Sequence, residues 1–166
     1  PRSFFDNDGW HTAGRKMPPH LPCWFVMAGN KGTGKTHVAV AIYLEAAQKG
    51  IRVKFVSCPE MLAGLRRGLD TGSFDNDLED YQNVELLILD DLGTEYTKAR
   101  GRSWGDEQLY RILNSRYMNG ENTVITTNVS VADLDPRIAD RLLDTQTGFS
   151  QVAVFNCPSY RSGRTW

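Results

Sequence analysis

The chain has little of what would mark several classes of protein. Its three cysteines, Cys23, Cys58 and Cys157, are isolated, odd in number and free of any C-x-x-C spacing, which argues against a disulfide scaffold or a cysteine zinc site and fits a reduced, cytoplasmic setting. No apolar run approaches the roughly 18 residues that a membrane span needs. The opening Pro1-Arg2-Ser3-Phe4-Phe5 carries no signal-peptide pattern, and the absence of an initiating methionine is what a fragment would show. An excess of one charge is also missing: 19 Lys+Arg against 20 Asp+Glu leave a net charge of −1, so any nucleic-acid contact would be local rather than spread over a basic surface. Internal repeats and low-complexity tracts are absent. What is there, 166 residues at 40% hydrophobic and 23% charged, is enough for one well-buried domain and too little for two ordinary ones.

Within that domain, Gly29-Asn30-Lys31-Gly32-Thr33-Gly34-Lys35-Thr36 matches the P-loop pattern G-x-x-x-x-G-K-[ST] at every fixed position. Glycines at 29, 32 and 34 let the backbone turn tightly and aim successive N–H groups into an anion-sized nest. Lys35 then reaches the β- and γ-phosphates, the Thr36 hydroxyl sits on Mg²⁺, and the helix that starts here adds the positive end of its dipole. Flanking segments agree with this reading. Residues 22–28 (PCWFVMA) form an apolar run of strand length, and residues 36–49 (THVAVAIYLEAAQK) have helical periodicity before Gly50. ATP and Mg²⁺ are the expected cofactors, with residues 29–36 and the adjoining His37 as the binding set.

Residues 1–20 show no periodicity and read as an irregular lead-in to a domain spanning 21–166. Beyond them, strand-like segments at 51–57, 84–90, 122–128 and 150–156 alternate with helix-like segments at 59–69, 74–82, 105–118 and 136–144. Such alternation predicts an α/β fold, a parallel five-stranded sheet with helices on both faces.

A P-loop needs a group to hold the metal and another to orient the attacking water. Leu86-Leu87-Ile88-Leu89 runs into Asp90-Asp91, the form of a Walker B motif, in which a buried strand carries carboxylates to the edge where phosphate binds. Asp90 is the expected metal holder and Asp91 the base for attack on the γ-phosphate. Paired acids at a strand end also occur as solvated turn residues; the P-loop in the same sheet is what favours the catalytic reading. The strand at 51–57, coming before the acid-bearing one, leaves room for the inserted strand of additional-strand P-loop ATPases and favours hydrolysis over transfer to a small acceptor. Asn128, after Thr126-Thr127, either holds the attacking water or simply starts a turn.

Taken in order, GNKGTGKTH, LLILDDLG, LYRILNSRY, VITTNVS, RIADRLLD and SYRSGR resemble the AAA+ ATPase domain of the DnaC/DnaI bacterial and phage helicase loaders, over about residues 22–164. Transposition helper ATPases of the IstB type share most of these motifs. The resemblance implies a P-loop NTPase fold of AAA+ type with a minimal C-terminal lid. It implies Asn128 as sensor 1, Arg141 as an arginine finger acting on a neighbouring subunit with Arg137 as fallback, and Arg161 at the sensor 2 position. It further implies slow hydrolysis in isolation, a homo-oligomer, single-stranded DNA and the replicative helicase as partners, and helicase binding through an N-terminal domain outside these residues. Asp91 departs from the glutamate common at its position by one methylene. The expected DNA contacts are Arg66 and Arg67, together with Lys98, Arg100, Arg102 and Trp104 in a basic loop, although acidic Asp75, Asp77, Glu79 and Asp80 lie near the first pair. Alternatives to the loader are an IstB-like transposition helper, a small-molecule P-loop kinase and a nucleotide-gated scaffold.

Overall fold

The computed structural model describes residues 23–93 and 103–159. Its strands are β1 (Trp24–Gly29), β2 (Val53–Ser57), β3 (Leu86–Leu92), β4 (Asn122–Thr127) and β5 (Ser150–Phe155). They form one parallel sheet in the order β2-β3-β4-β1-β5. Its helices are α1 (Lys35–Gln48), α2 (Cys58–Thr71), α3 (Phe74–Asn83), α4 (Trp104–Asn119) and α5 (Pro136–Leu142), with a single 3₁₀ turn at Val131–Asp133. The predicted parallel five-stranded sheet is therefore present.

Both faces of the sheet are covered, so its central strands are apolar on both sides. Leu86 and Ile88 join Met27, Val124 and the α1 residues Ala39, Ile42 and Ala46 in one core. Leu87 and Leu89 pack on the other face with Trp24, Val26, Ile125 and residues of α2 to α5. Trp24, fully buried, also donates its indole N–H to Glu121 O at 3.1 Å. No helix among the described residues is long and apolar enough to cross a membrane.

The helices start where the sequence provides caps. Ser57 Oγ accepts from the Glu60 N–H ahead of α2, and Asp135 Oδ1 accepts from the Arg137 N–H at 2.8 Å with Pro136 opening α5. At α4, Ser103 Oγ accepts from Asp106 N–H at 3.2 Å while Asp106 Oδ2 accepts from Ser103 N–H at 2.8 Å, a reciprocal capping box. That cap corrects one expectation: Trp104 is the first residue of α4 and not part of a loop.

Two further expectations are refined. The strand lying in space between P-loop strand β1 and acid strand β3 is β4, whereas β2, the strand that precedes β3 in sequence, occupies the sheet edge. The acid strand also starts and ends two residues later than expected, at Leu86 and Leu92, and so contains Asp91. A β-bulge makes that continuation possible: Leu89 pairs with Ile125 and Leu92 with Thr127, so Asp90 and Asp91 both stand opposite Thr126.

Candidate nucleotide and catalytic site

Strand β1 ends in the P-loop and α1 begins within it, with Gly34 at φ 95° as the residue before the helix. Two of the loop glycines are set by close approach as well as by backbone angle. Gly29 (φ 146°) lies against Phe155 O, and Gly32 (φ 80°) lies against Ser159 Oγ, so a Cβ at either would collide. The chain leaving β5 thus packs over the loop, and Cys157 Sγ reaches Thr33 O at 3.6 Å.

A cavity of about 850 Å³ opens here, lined by residues 31–37, by Asp91 and Asn128, and by Cys157 and Pro158. Lys35 is buried and donates to Gly29 O at 2.9 Å and to Asn30 O at 2.8 Å. Burial pushes its ammonium below the ordinary lysine value, while the carboxylates of Asp91 and Asp90 and the Cys157 thiol act the other way. An anion in the cavity would compete with the loop carbonyls for this charge. Lys35→Ala is expected to weaken nucleotide binding by about 10- to 100-fold, the worth of a charge-assisted hydrogen bond, read by titration of a fluorescent nucleotide.

Asp91 reaches the cavity through the bulge, and Asp90 stands behind the cavity-lining Thr36. Alternation along β3 places Asp90 on the α1 side with Leu86 and Ile88, and Thr36 Oγ1 of α1 donates to both Asp90 carboxylate oxygens at 3.2 Å. Strict alternation would send Asp91 into the core on the opposite face. Instead Leu92 takes that place, and Asp91 becomes the extra residue at φ 57°, the single non-glycine residue with positive φ among the described ones. Asp tolerates this left-handed conformation better than most residues. Its carboxylate lines the cavity and accepts from Asn128 Nδ2 at 2.6 Å. A hydroxyl and a carboxylate meeting at 3.2 Å are hard oxygen donors that suit Mg²⁺, which takes few protein ligands and completes its shell with phosphate and water.

Other predicted residues lie away from the cavity. Arg141 donates to Asn114 Oδ1 from Nε at 3.1 Å and from Nη2 at 2.5 Å, to Arg137 O at 2.6 Å and to Tyr110 Oη at 3.3 Å. All of these acceptors are neutral. Arg137, by contrast, is paired with Asp135 at 3.0 Å and with Glu107 at 3.4 Å, and its guanidinium stacks 4.0 Å from the Tyr110 ring centroid. Arg66 and Arg67 are exposed on α2, and the Arg66 guanidinium lies 5.3 Å from the Trp104 ring centroid. Arg161, Lys98, Arg100, Arg102, the lead-in and the expected lid fall outside the described residues. Thr126, Cys157 and Pro158 are site residues that sequence reasoning missed. A signal for Thr126 was available in its position two residues before Asn128, on the strand that Asn128 directly follows.

A P-loop closing β1, an acid-bearing β3 and an intervening β4 define an ATP-binding domain of the AAA+ type. The chain belongs to the IstB-like ATP binding protein family, which matches residues 24–165. It is 30% identical over 142 residues to the ATP-binding protein assigned to insertion sequence IS232 of Bacillus thuringiensis subsp. berliner, covering 82% of this chain and 54% of that protein. To the replicative helicase loader DnaC of Escherichia coli K12 it is 27% identical over 141 residues, covering 83% and 56%. The chain thus spans little more than half the length of these relatives. Among solved structures, a crystal structure of the DnaC helicase loader superimposes with a TM-score of 0.66 at 31% identity, covering 83% of this chain and 81% of that one.

Proposed function

We propose that the chain hydrolyses Mg-ATP and that it does so as the motor of a helicase loader, assembling on single-stranded DNA to place the replicative helicase. The observation that carries the hydrolytic reading is the convergence of Asp91 and Asn128 on the cavity that the P-loop lines, beside the Thr36–Asp90 contact. A carboxylate at that position takes the proton of the attacking water, and the Asn128 amide orients the carboxylate. Asp90 and Thr36 would hold the metal, which supplies charge neutralisation at the β- and γ-phosphate oxygens.

Arg141 rather than Arg137 fits the finger role, because its charge is held by neutral groups and stays available to a phosphate, whereas Arg137 is already matched by two carboxylates. Neither lines the cavity of its own chain as described, so a finger from this helix acts on a neighbouring copy, and the assembly is head to tail. The Arg66–Trp104 pair offers a cation and a ring side by side to a single strand, one on the backbone and one on a base. Likeness to the loader DnaC supports the helicase as partner.

A second reading, a transposition helper that prefers duplex DNA, is favoured by the family match and by the insertion-sequence relative. Free phosphate measured across protein concentration, with single-stranded DNA, duplex or none, separates the two. The loader is expected to show a rate per subunit that rises with concentration and with single strands. Arg141→Ala is expected to lose that rise while keeping nucleotide affinity within about twofold, because a trans finger contributes to the transition state and not to monomer binding. Stimulation by duplex alone would support the transposition reading. A flat rate, indifferent to DNA and unchanged in Arg141→Ala, would overturn the trans finger.

A further inference from the structure

Resting on the reading of Asp90 as metal holder and Asp91 as base, we propose that Thr126 is the positioning residue that sets both acids at once. It is fully buried in β4, directly opposite the bulge, where one residue of β4 faces two of β3. Its single hydroxyl is used in both directions: Oγ1 donates to Asp90 Oδ1 at 2.5 Å and accepts from the Asp91 N–H at 3.0 Å. A hydroxyl has one proton to give and lone pairs to receive with, so one atom satisfies both neighbours, which a methyl group cannot do.

The two bonds have separate consequences. The first fixes the rotation of the Asp90 carboxylate, since Oδ1 is tied to β4 while both oxygens still accept from the Thr36 hydroxyl. The second ties the Asp91 backbone N–H to β4 within the bulge, and so helps to hold Asp91 at φ 57° with its side chain toward Asn128 and the cavity. This bond opposes the bias of on the order of 1 kcal/mol against the left-handed conformation in a side-chain-bearing residue. Thr126 is not among the residues that line the cavity and acts through the two aspartates.

The test compares Thr126→Val, nearly identical in shape, with Thr126→Ser, which keeps the hydroxyl, using the full 166-residue chain. Affinity for a fluorescent ADP analogue is titrated with magnesium and with EDTA, alongside phosphate release and thermal unfolding. Thr126→Val is expected to bind nucleotide in EDTA within about twofold of the parent, to need about tenfold more magnesium for half of the metal-dependent gain in affinity, and to turn over at least about tenfold more slowly. Thr126→Ser should recover both quantities to within about threefold. Parental magnesium demand and turnover in Thr126→Val would overturn the proposal. So would failure of Thr126→Ser to recover them, because the methyl and its packing would then be what matters. Asp90→Asn separates the two layers: if it leaves the magnesium demand unchanged, or if the parent shows no magnesium-dependent gain, the metal reading fails and the proposal with it. If Asp90→Asn raises the demand and Thr126→Val does not, only the role of Thr126 is lost.

Discussion

Asp91→Asn is expected to lower ATP turnover by about 10²- to 10⁴-fold while leaving nucleotide binding in place, the range typical of losing a positioned general base. The substitution suits the local backbone. Asp91 sits at φ 57°, and asparagine is among the few residues that accept the left-handed region readily, so the bulge is kept. The carboxamide oxygen still accepts from Asn128 Nδ2, across the contact that stands at 2.6 Å, and the Asp91 N–H still reaches Thr126 Oγ1 at 3.0 Å. What disappears is the negative charge and the capacity to take a proton. Binding rests on the loop and on Lys35, whose ammonium is held at Gly29 O and Asn30 O. Phosphate release and fluorescent-nucleotide titration on one preparation read the two effects separately. Turnover within about threefold of the parent would remove Asp91 from the mechanism and revive the nucleotide-gated scaffold.

How much of this site was legible beforehand depends on which physical signal each part carries. The P-loop was fully legible, because its glycines are demanded by positive φ and close approach, and those demands appear as fixed spacing. The strand interiors were legible as apolar runs, and Asp90 followed from its place at the end of one. How Asp91 comes to join it was not, since period-2 alternation through LLILDDL sends the two acids to opposite faces and only a bulge reconciles them. A bulge in a run with no glycine at the left-handed position leaves no compositional mark. Strand order was equally hidden: alternation of strands and helices announces a parallel sheet, yet nothing local says that β4 and not β2 lies between β1 and β3. The start of α4 was there to be read in Ser103-x-x-Asp106 but was outweighed by the basic residues before it. Cys157 and Pro158 reach the cavity only because the chain leaving β5 folds back over the loop, a long-range contact.

Arg116→Met is expected to lower the thermal midpoint by about 6–12 °C, the largest stability effect among the charged residues, even though it replaces a buried charge with an apolar side chain of similar length. Arg116 is completely buried in α4. Nε donates to Thr123 Oγ1 at 3.0 Å, Nη1 to Tyr81 O at 3.0 Å, Gln82 O at 3.2 Å and Val84 O at 2.9 Å, and Nη2 to Asn122 O. Burial lowers its pKa to about 10, which still leaves the guanidinium charged at neutral pH. A depression of that size corresponds to about 3 kcal/mol against the charged form. Opposing it are several hydrogen bonds from a charged donor, each worth about 1.5–3 kcal/mol, so the charged arrangement wins. A buried ion pair can often be replaced by apolar residues without loss because both partners leave together. Here the acceptors are mostly backbone carbonyls at the end of α3 and the start of β4, and no side-chain substitution removes them. Methionine would strand them away from water at about 1–3 kcal/mol apiece, less whatever relaxation admits, for a net loss of at least about 3 kcal/mol. Arg116→Lys should fall between, because one ammonium cannot span acceptors that a planar fork reaches from two sides. A midpoint for Arg116→Met within about 2 °C of the parent, measured by calorimetry, would show that water replaces the guanidinium and that the α3–α4–β4 junction does not depend on it.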